Sequence, residues 1–370
     1  MNQQDYRKLV SGQATGLGSS LLRLLLGIAA CGYSLVIRLR NLLYSKGWFK
    51  THRVNAAVIS IGNITTGGTG KTPLVAWLCN EITQNSKLKT QNCKCAILTR
   101  GYKATQNSKL KTQNYFDEPA ILAQSCPQAK VVVNPDRVAG AVNAISFGAN
   151  VLIMDDGFQH RRLARDLDIV AIDATMPFGF GRILPAGLLR EPITALRRAG
   201  AVVITRADQA AQDQLTEIEN KIRNIKADIV IARSIHSPVC AISRDGDRIS
   251  LEKLQGKKIL AFCGIGNPGA FLNTLKALGA DLLGSAVFDD HHHYTHACLE
   301  KISKQARHLK ADLIVTTQKD WTKIAPLLTD EKHLSFAFLA VEIRFQTGQD
   351  RLKGLIEHAI AGRICARQMR

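Results

Sequence analysis

Short apolar runs alternate with stretches of helical periodicity along most of the chain after residue 50. Strands that alternate with helices are typical of a parallel sheet covered by helices. The pattern predicts an α/β fold with a mostly parallel sheet. The first six predicted strands are Ala56–Ile61, Cys95–Thr99, Lys130–Val133, Asn150–Met154, Asp168–Ile172 and Ala201–Thr205.

The rhythm changes near residue 229, where strand-like runs come closer together. We predict a β-rich hinge here, then a smaller α/β domain, since 370 residues are many for one core. The predicted strands of this part are Ile229–Ala232, Val239–Ser243, Lys258–Phe262, Ala311–Thr316 and Ser335–Glu342. The predicted domains are an apolar N-terminal helix (1–50), a core (51–235), a smaller domain with the hinge strands (236–345) and a C-terminal helix (346–370).

The N-terminal segment Leu24–Ile37 is apolar and lies between arginines. As a helix it would be about 21 Å long, shorter than the roughly 30 Å hydrocarbon layer of a membrane. Its polar positions fall on one stripe: Arg23, Gly27, Ser34, Arg38 and Asn41. This pattern predicts a helix that lies in a membrane interface with its cations at the headgroups. The alternatives are a helix packed on the protein and a secretory signal, whose apolar region Arg23 would interrupt.

The chain carries 49 Lys and Arg against 30 Asp and Glu, a net charge of +19. Such a charge favours an anionic partner, which could be a phospholipid surface, a phosphorylated substrate or nucleic acid. Nucleic acid is the least favoured of these, because the chain has neither a long Lys/Arg run nor a periodic set of aromatic residues. The nine cysteines are scattered and odd in number, as in a reduced cytosolic protein.

The sequence NITTGGTGKTP (Asn63–Pro73) follows the first predicted strand. It resembles a phosphate-binding P-loop, G-x-x-x-x-G-K-[ST], with threonine in place of the first glycine. The predicted nucleotide-binding residues are Thr65, Thr66, Gly67, Gly68, Thr69, Gly70, Lys71 and Thr72. Lysine would supply charge and the last threonine a hydroxyl for Mg²⁺. The alternative is a glycine-rich turn with an incidental GKT.

Two adjacent acids, Asp155 and Asp156, follow the predicted strand Asn150–Met154. They would lie at the carboxyl edge of the sheet, where α/β proteins bind ligands and where a P-loop site requires a carboxylate near its metal ion. They could also be solvated or cap the next helix. The sequence Asp117-Glu118-Pro119 is likewise either a helix start or a functional acid.

Three other features are less specific. The segment Asp289–His296 could bind a metal through His292 and His296, supply a base, or form a surface segment. The loop Gly264–Pro268 is a poor dinucleotide fingerprint. The decapeptide TQNSKLKTQN occurs at 83–92 and again at 105–114, and its polar composition predicts two loops.

Several motifs together resemble the tetraacyldisaccharide 4'-kinases of lipid A biosynthesis. These are NITTGGTGKTP, TRGY (Thr99–Tyr102), DEP (Asp117–Pro119), DDGFQHRRLARDLDIV (Asp155–Val170), PFGFGRILPAGLLREP (Pro177–Pro192), GIGNP (Gly264–Pro268), FDDHHHY (Phe288–Tyr294) and TQKD (Thr317–Asp320). Departures from the family are Tyr115-Phe116 before DEP, TQKD in place of TEKD, and the repeated decapeptide.

The resemblance implies a P-loop NTPase core, a β-strand hinge and a smaller C-terminal α/β domain. It implies transfer of the ATP γ-phosphate, with Mg²⁺, to the 4' hydroxyl of a tetraacylated disaccharide 1-phosphate. The enzyme would be attached by its N-terminal helix to the cytoplasmic face of the bacterial inner membrane, whose anionic surface suits the charge of the chain. The resemblance implies no oligomeric state.

The resemblance also assigns roles to residues. Lys71 and Thr72 would hold phosphate and Mg²⁺, Asp117 would be the general base, and His291 would tune it. The metal shell would comprise Thr72, Asp155, Asp156 and Glu191. Further substrate or second-tier positions are Glu118, Gln159, His160 and Arg190.

A rival class is the membrane-surface ATPase switch of the partitioning type, whose loop reads K-G-G-x-G-K-T. That class requires lysine at position 66 to reach across a dimer, and this chain has Thr66. A nucleic-acid ATPase is a third possibility, and it would bind DNA in a salt-dependent way.

Overall fold

The computed structural model describes residues 3–84, 93–101, 117–290, 292–328 and 335–368. The chain forms two compact units. The first comprises Met1–Lys103, Leu122–Ile235 and Arg344–Arg370, and the second comprises Ala104–Ile121 and His236–Ile343. The predicted boundaries of the folding domains and the predicted hinge stay predictions. Residues 85–92 and 105–114, which hold most of the repeated decapeptide, lie outside the described residues.

Among the residues that the structure describes, seven parallel strands form the sheet of the first unit, in the order β7-β6-β5-β1-β4-β2-β3. They are β1 (Ala57–Gly62), β2 (Cys95–Thr99), β3 (Lys130–Val133), β4 (Val151–Asp155), β5 (Leu167–Asp173), β6 (Ala201–Thr205) and β7 (Val230–Ser243). Strand β7 continues into the second unit. β1 is buried along its whole length between β4 and β5. Continuous apolar runs such as β6 are expected in a parallel sheet covered on both faces.

The helices of the first unit are α1 (Gln3–Val10), α2 (Leu17–Ser45), α3 (Lys71–Gln84), α5 (Arg137–Ser146), α6 (Gln212–Ile225) and α10 (Gln349–Gln368), with a 3₁₀ helix at Ile193–Arg198. Helix α4 (Asp117–Ser125) continues from the second unit into the first. Side chains of β5 and β6 pack with α6 in one apolar cluster, and side chains of β1, β2 and β4 pack with α5 in another.

The second unit has parallel strands in the order β10-β9-β11-β12. They are β9 (Lys258–Cys263), β10 (Asp281–Val287), β11 (Leu313–Thr317) and β12 (Ser335–Thr347), and short β8 (Arg248–Ile249) pairs antiparallel with the end of β7. Alternate residues of β9 pack against α7 (Pro268–Ala277) and α8 (His296–His308), so helices cover both faces of the sheet. A short helix, α9 (Gln318–Ile324), follows β11.

The α/β class and the mostly parallel sheet are confirmed. Two details of the strand prediction were wrong. The strands predicted at Ile229–Ala232 and Val239–Ser243 are parts of one continuous strand, because Pro238 keeps a backbone angle that an extended chain tolerates. Strand β10 was missed, since Gly284 interrupts its apolar pattern at the edge of the sheet.

Helix α2 is longer than predicted, with 29 residues or about 43 Å. It is the one helix among the described residues that is long and apolar enough to cross a membrane, and signal sequences and core helices of soluble proteins share these properties. Its large apolar side chains are exposed, among them Leu21, Leu25, Ile28 and Leu35. The polar stripe does not point to headgroups throughout, since Arg23 and Asn41 hydrogen-bond to the protein.

Candidate active site

The P-loop connects the central strand β1 to helix α3, which begins at Lys71. Gly67 and Gly70 have φ angles of 112° and 77°, a region that glycine adopts without steric cost. The N-terminus of a helix presents free N–H groups and a positive dipole end, which together favour bound phosphate. The loop therefore joins a strand to a helix as a P-loop does, although threonine occupies position 65, and nucleotide binding by its residues stays a prediction.

Two hydrogen bonds hold the carbonyl groups of the loop from the end of β6. The Thr205 hydroxyl donates to the carbonyl of Thr69 at 2.9 Å, and Arg206 donates to the carbonyl of Gly68 at 3.0 Å. Arg206 is itself paired with Asp173 at the end of β5, and all these side chains are buried. These contacts fix the loop carbonyls away from the N–H groups that would face phosphate.

Sequence reasoning missed Thr205, Arg206 and Asp173. A signal was present, since these residues end or follow the predicted strands Asp168–Ile172 and Ala201–Thr205. The carboxyl ends of parallel strands meet at one edge of the sheet, where ligands bind.

The LPAGLLREP segment, Leu184–Pro192, borders the other side of the loop. The Thr66 N–H donates to the carbonyl of Leu188 at 2.7 Å, and the Arg190 N–H donates to the carbonyl of Ile64 at 2.7 Å. Thr65 forms an isolated antiparallel bridge with Leu189. The segment is thus paired through its backbone to the start of the P-loop.

Three charged side chains meet beside the loop. The ammonium group of Lys71 lies 3.3 Å from a carboxylate oxygen of Asp156, and Arg190 contacts both oxygens of that carboxylate at 3.1 and 2.9 Å. Burial alone would raise the pKa of Asp156, but the two cations hold the pKa well below its usual range. Asp156 has a left-handed backbone with φ of 49°, a conformation that aspartate tolerates better than most residues.

Gln159 and His160 follow in the same motif, and Gln159 contacts the start of the loop. Gln159 donates from Nε2 to the carbonyl of Asn63 at 2.8 Å. Its Oε1 and the Nε2 nitrogen of His160 are buried and have no hydrogen-bond partner among the described residues. Burial and the nearby Arg137, Arg165 and Arg162 lower the pKa of His160 to about 4. His160 is therefore neutral at physiological pH.

The predicted metal ligands are in different surroundings. Asp155 ends β4 and is buried, and Thr72 lies in the first turn of α3. The fully buried Glu191 carboxylate accepts hydrogen bonds from Arg40, Asn41 and Arg198 at 2.9 to 3.1 Å. This arrangement compensates the charge of Glu191 and does not favour metal binding, so that role stays a prediction. The described residues contain no cluster of three His, Cys, Asp or Glu side chains suited to hold a metal ion.

Three motifs of the second unit meet at Asp320, which is fully buried. Its carboxylate accepts hydrogen bonds from the Gly264 N–H at 3.0 Å, the Tyr294 hydroxyl at 3.1 Å and the Thr317 hydroxyl at 2.7 Å. Burial raises its pKa. TQKD therefore holds the GIGNP loop and the FDDHHHY segment together, a role that sequence reasoning did not assign.

The structure describes less of the predicted base, Asp117, and of its predicted partner, His291. Asp117 and Glu118 begin helix α4, and nothing is described of their side chains. His291 lies outside the described residues. The neighbouring His292 stacks on Phe288 with ring centroids 4.4 Å apart. The catalytic roles of Asp117 and His291 stay predictions.

The glycine-rich loop joins the central strand of a parallel sheet to a helix, and its lysine pairs with an acid at the end of the adjacent strand. These features define a P-loop nucleotide-binding protein. The model of the family described as "Tetraacyldisaccharide-1-P 4'-kinase" matches residues 22–361. The chain belongs to this family.

Individual relatives agree with this membership. A tetraacyldisaccharide 4'-kinase of Syntrophus aciditrophicus is 40% identical over 340 residues, covering 87% of this chain and 89% of the relative. One from Anaeromyxobacter sp. (strain K) is 36% identical, covering 90% of each chain. The crystal structure of an "apo" form of LpxK from Aquifex aeolicus in complex with ATP has a TM-score of 0.66 and 28% identity, covering 92% of this chain and 99% of that one. The partitioning-type ATPase is accordingly not favoured.

Proposed function

We propose that this chain is an ATP-dependent lipid kinase. It transfers the γ-phosphate to the 4' hydroxyl of a tetraacyldisaccharide 1-phosphate and gives the 1,4'-bisphosphate lipid. The observation that carries the proposal is the family match over residues 22–361, and the contact between Lys71 and Asp156 supports it. Relatives that share this length of chain are named for this reaction.

The P-loop residues bind and orient the nucleotide. Backbone N–H groups at the start of α3 and the Lys71 ammonium group face the phosphates, where they neutralise charge that develops during transfer. Asp156 holds Lys71 and Arg190 in one place, so both cations are oriented before the nucleotide arrives. Most of the lowering of the barrier comes from this positioning.

Mg²⁺ would be held partly by the phosphate oxygens of the nucleotide. Mg²⁺ usually keeps several waters and takes one or two carboxylates besides the phosphates, so a complete protein cage is not required. The Thr72 hydroxyl and the Asp155 carboxylate are the residues that would hold it, and the ion would supply charge neutralisation at the phosphate oxygens.

The acceptor hydroxyl requires a base within hydrogen-bond reach. The family resemblance assigns this role to Asp117, with His291 as its partner. The test is kcat of Asp117→Ala and His291→Ala on the lipid acceptor. We expect a loss of about 100-fold or more for Asp117→Ala. A kcat close to that of the unaltered chain would contradict the assignment.

The membrane surface is the proposed place of the reaction. The acceptor is a lipid, α2 exposes a row of large apolar side chains, and the net charge of +19 favours an anionic surface. The leaflet is the cytoplasmic one, where ATP is available. The helix lies along the surface, an orientation supported by the bonds of Tyr33 and Asn41 to the protein and by the exposed apolar side chains of α2.

The test of the function is incubation of the full chain with γ-labelled ATP and the disaccharide 1-phosphate lipid in detergent micelles. Label in the lipid fraction supports the kinase. Label released only as inorganic phosphate would favour an ATPase and would overturn the proposal.

A further inference from the structure

One side of α2, formed by Tyr33, Arg40 and Asn41, contacts the LPAGLLREP segment directly. The Tyr33 hydroxyl donates to the carbonyl of Arg190 at 3.0 Å. Two turns further along the helix, Arg40 and Asn41 donate to the two carboxylate oxygens of Glu191 at 3.1 and 2.9 Å. The helix that exposes its apolar face to the surroundings therefore holds two consecutive residues beside the phosphate site.

Glu191 depends on α2 for its charge balance. Its side chain is fully buried, and its third partner is Arg198 at 3.0 Å. A buried carboxylate is costly unless it is paired and hydrogen-bonded. Loss of Arg40 or Asn41 leaves part of that charge without a partner. The expected response is a shift of the segment that carries Glu191, which lets water reach the carboxylate.

Arg190 transmits such a shift to the P-loop. Its N–H is bonded to Ile64 and its carbonyl to Tyr33, so its backbone is fixed from both sides. Its guanidinium group holds Asp156, which also contacts Lys71. A continuous set of hydrogen bonds and ion pairs therefore runs from α2 to the lysine of the P-loop.

We propose that Tyr33, Arg40 and Asn41 are positioning residues. Through them, helix α2 sets the geometry of Arg190 and Asp156 in the phosphate site. The proposal rests on the proposed kinase function for its effect on phosphate transfer. According to this proposal, α2 both contacts the membrane and positions residues of the active site. Binding of α2 to a lipid surface is then coupled to the geometry of the P-loop. The competing idea is that α2 only concentrates the enzyme at the surface.

The test compares Tyr33→Phe, Arg40→Ala and Asn41→Ala with Arg38→Ala. Arg38 is an exposed arginine of the same helix and serves as the matched control. Enzyme and lipid acceptor are placed in the same detergent micelles, so membrane attachment does not limit the rate. We expect kcat to fall about 10-fold for Arg40→Ala and Asn41→Ala, several-fold for Tyr33→Phe and not for Arg38→Ala, because small misplacement of positioned groups is costly. The KM for the lipid should change less than kcat.

Equal kcat in all four variants would overturn the proposal and leave α2 as an anchor. Thermal unfolding of each variant identifies loss of folding, and Tyr33→Phe, which removes one oxygen atom, remains informative if the other variants are unstable. A higher KM for the lipid with an unchanged kcat would likewise overturn the proposal.

A second readout does not require lipid phosphorylation. Binding of a fluorescent ADP analogue should weaken about 3-fold or more in Arg40→Ala and Asn41→Ala and stay unchanged in Arg38→Ala, since Lys71 loses its fixed position. If the unaltered chain labels no lipid, the proposed function fails, while this binding comparison still tests the positioning role.

A double-mutant cycle isolates the role of the buried charge. In the Glu191→Gln background, which removes that charge, Arg40→Ala should weaken ADP binding less than it does in the unaltered chain, because residues in one network are not additive. Additive effects would show that Arg40 does not act through Glu191 and would overturn the proposal.

Discussion

Lys71 and Asp156 form an ion pair at the mouth of the P-loop, with the ammonium nitrogen 3.3 Å from a carboxylate oxygen. The same carboxylate holds Arg190. Two cations share one anion, so a positive charge remains for the phosphates of a nucleotide. The pair ties the P-loop to the end of the adjacent strand β4.

This relationship predicts different losses for the two partners. Lys71→Ala should lower kcat by about 1000-fold, because a charge aimed at the transferred phosphate is removed. Asp156→Asn keeps the shape but frees both cations, and we expect a loss of about 100-fold. The measurement is steady-state kinetics on the lipid acceptor, with the exposed Glu217→Gln as a control that should retain full activity. An Asp156→Asn enzyme with unchanged kcat would contradict the role of the pair.

The anchoring of the loop carbonyls predicts the effect of Thr205→Val. Valine keeps the volume of the buried side chain but cannot donate to the carbonyl of Thr69. A buried hydrogen bond contributes about 1 kcal/mol, so ADP affinity should fall about 5-fold by calorimetry. Thr216→Val removes a hydroxyl from an exposed helix position and is the matched control. Equal affinity in both variants would show that the loop does not depend on this bond.

The lowered pKa of His160 predicts how stability depends on pH. The folded pKa of about 4 lies below the unfolded value of about 6.5, so the neutral form is favoured on folding. The contribution is fully present above pH 6.5 and is lost as the pH falls toward 4, because the unfolded chain binds the proton more readily. His160→Gln should lose less stability between pH 7.5 and 4.5 in denaturant unfolding, relative to its own value at pH 7.5. Equal losses in both proteins would contradict this.

The exposed apolar face of α2 predicts a membrane contact that can be removed without a loss of catalysis. Replacing Leu21, Leu25 and Ile28 together by glutamine should weaken sedimentation with anionic vesicles, since less apolar area can enter the interface. The kcat in micelles should change little, because these side chains point away from the polar contacts. Deleting residues 1–46 would also remove Arg40 and Asn41, so it cannot separate the two effects. Unchanged sedimentation of the triple variant would refute the contact.

Much of the fold followed from the sequence because its strands are unusually continuous apolar runs. Strands β2, β3 and β6 have the predicted bounds, and β1 and β4 differ by one residue at each end. Strand β10 could not be predicted, since its pattern is interrupted and only its pairing with β9 makes it a strand. Periodicity also showed which residues of α2 share a face, but not which face the protein would cover.

Some residues of the candidate site could likewise be predicted from the sequence, and others could not. The P-loop and Asp156 could be predicted from the sequence, because the P-loop has glycines and a lysine at fixed offsets and Asp156 follows an apolar strand whose carboxyl end borders the ligand site. The contact between Thr205 and Thr69 joins residues 136 positions apart, and no local pattern indicates it. The partners of Glu191 were hidden for the same reason, since Arg40 lies 151 positions away. The catalytic roles of Asp117 and His291 were assigned from the family resemblance alone.

The central claim is transfer to one particular oxygen of a lipid. The most direct measurement is the position of the label after reaction of γ-labelled ATP with the tetraacyldisaccharide 1-phosphate, determined by mass spectrometry and phosphorus NMR of the isolated lipid. We predict a second phosphate monoester at the 4' position, formed about 1000-fold more slowly by Lys71→Ala. Label found only as inorganic phosphate, or in a diphosphate at position 1, would contradict the account.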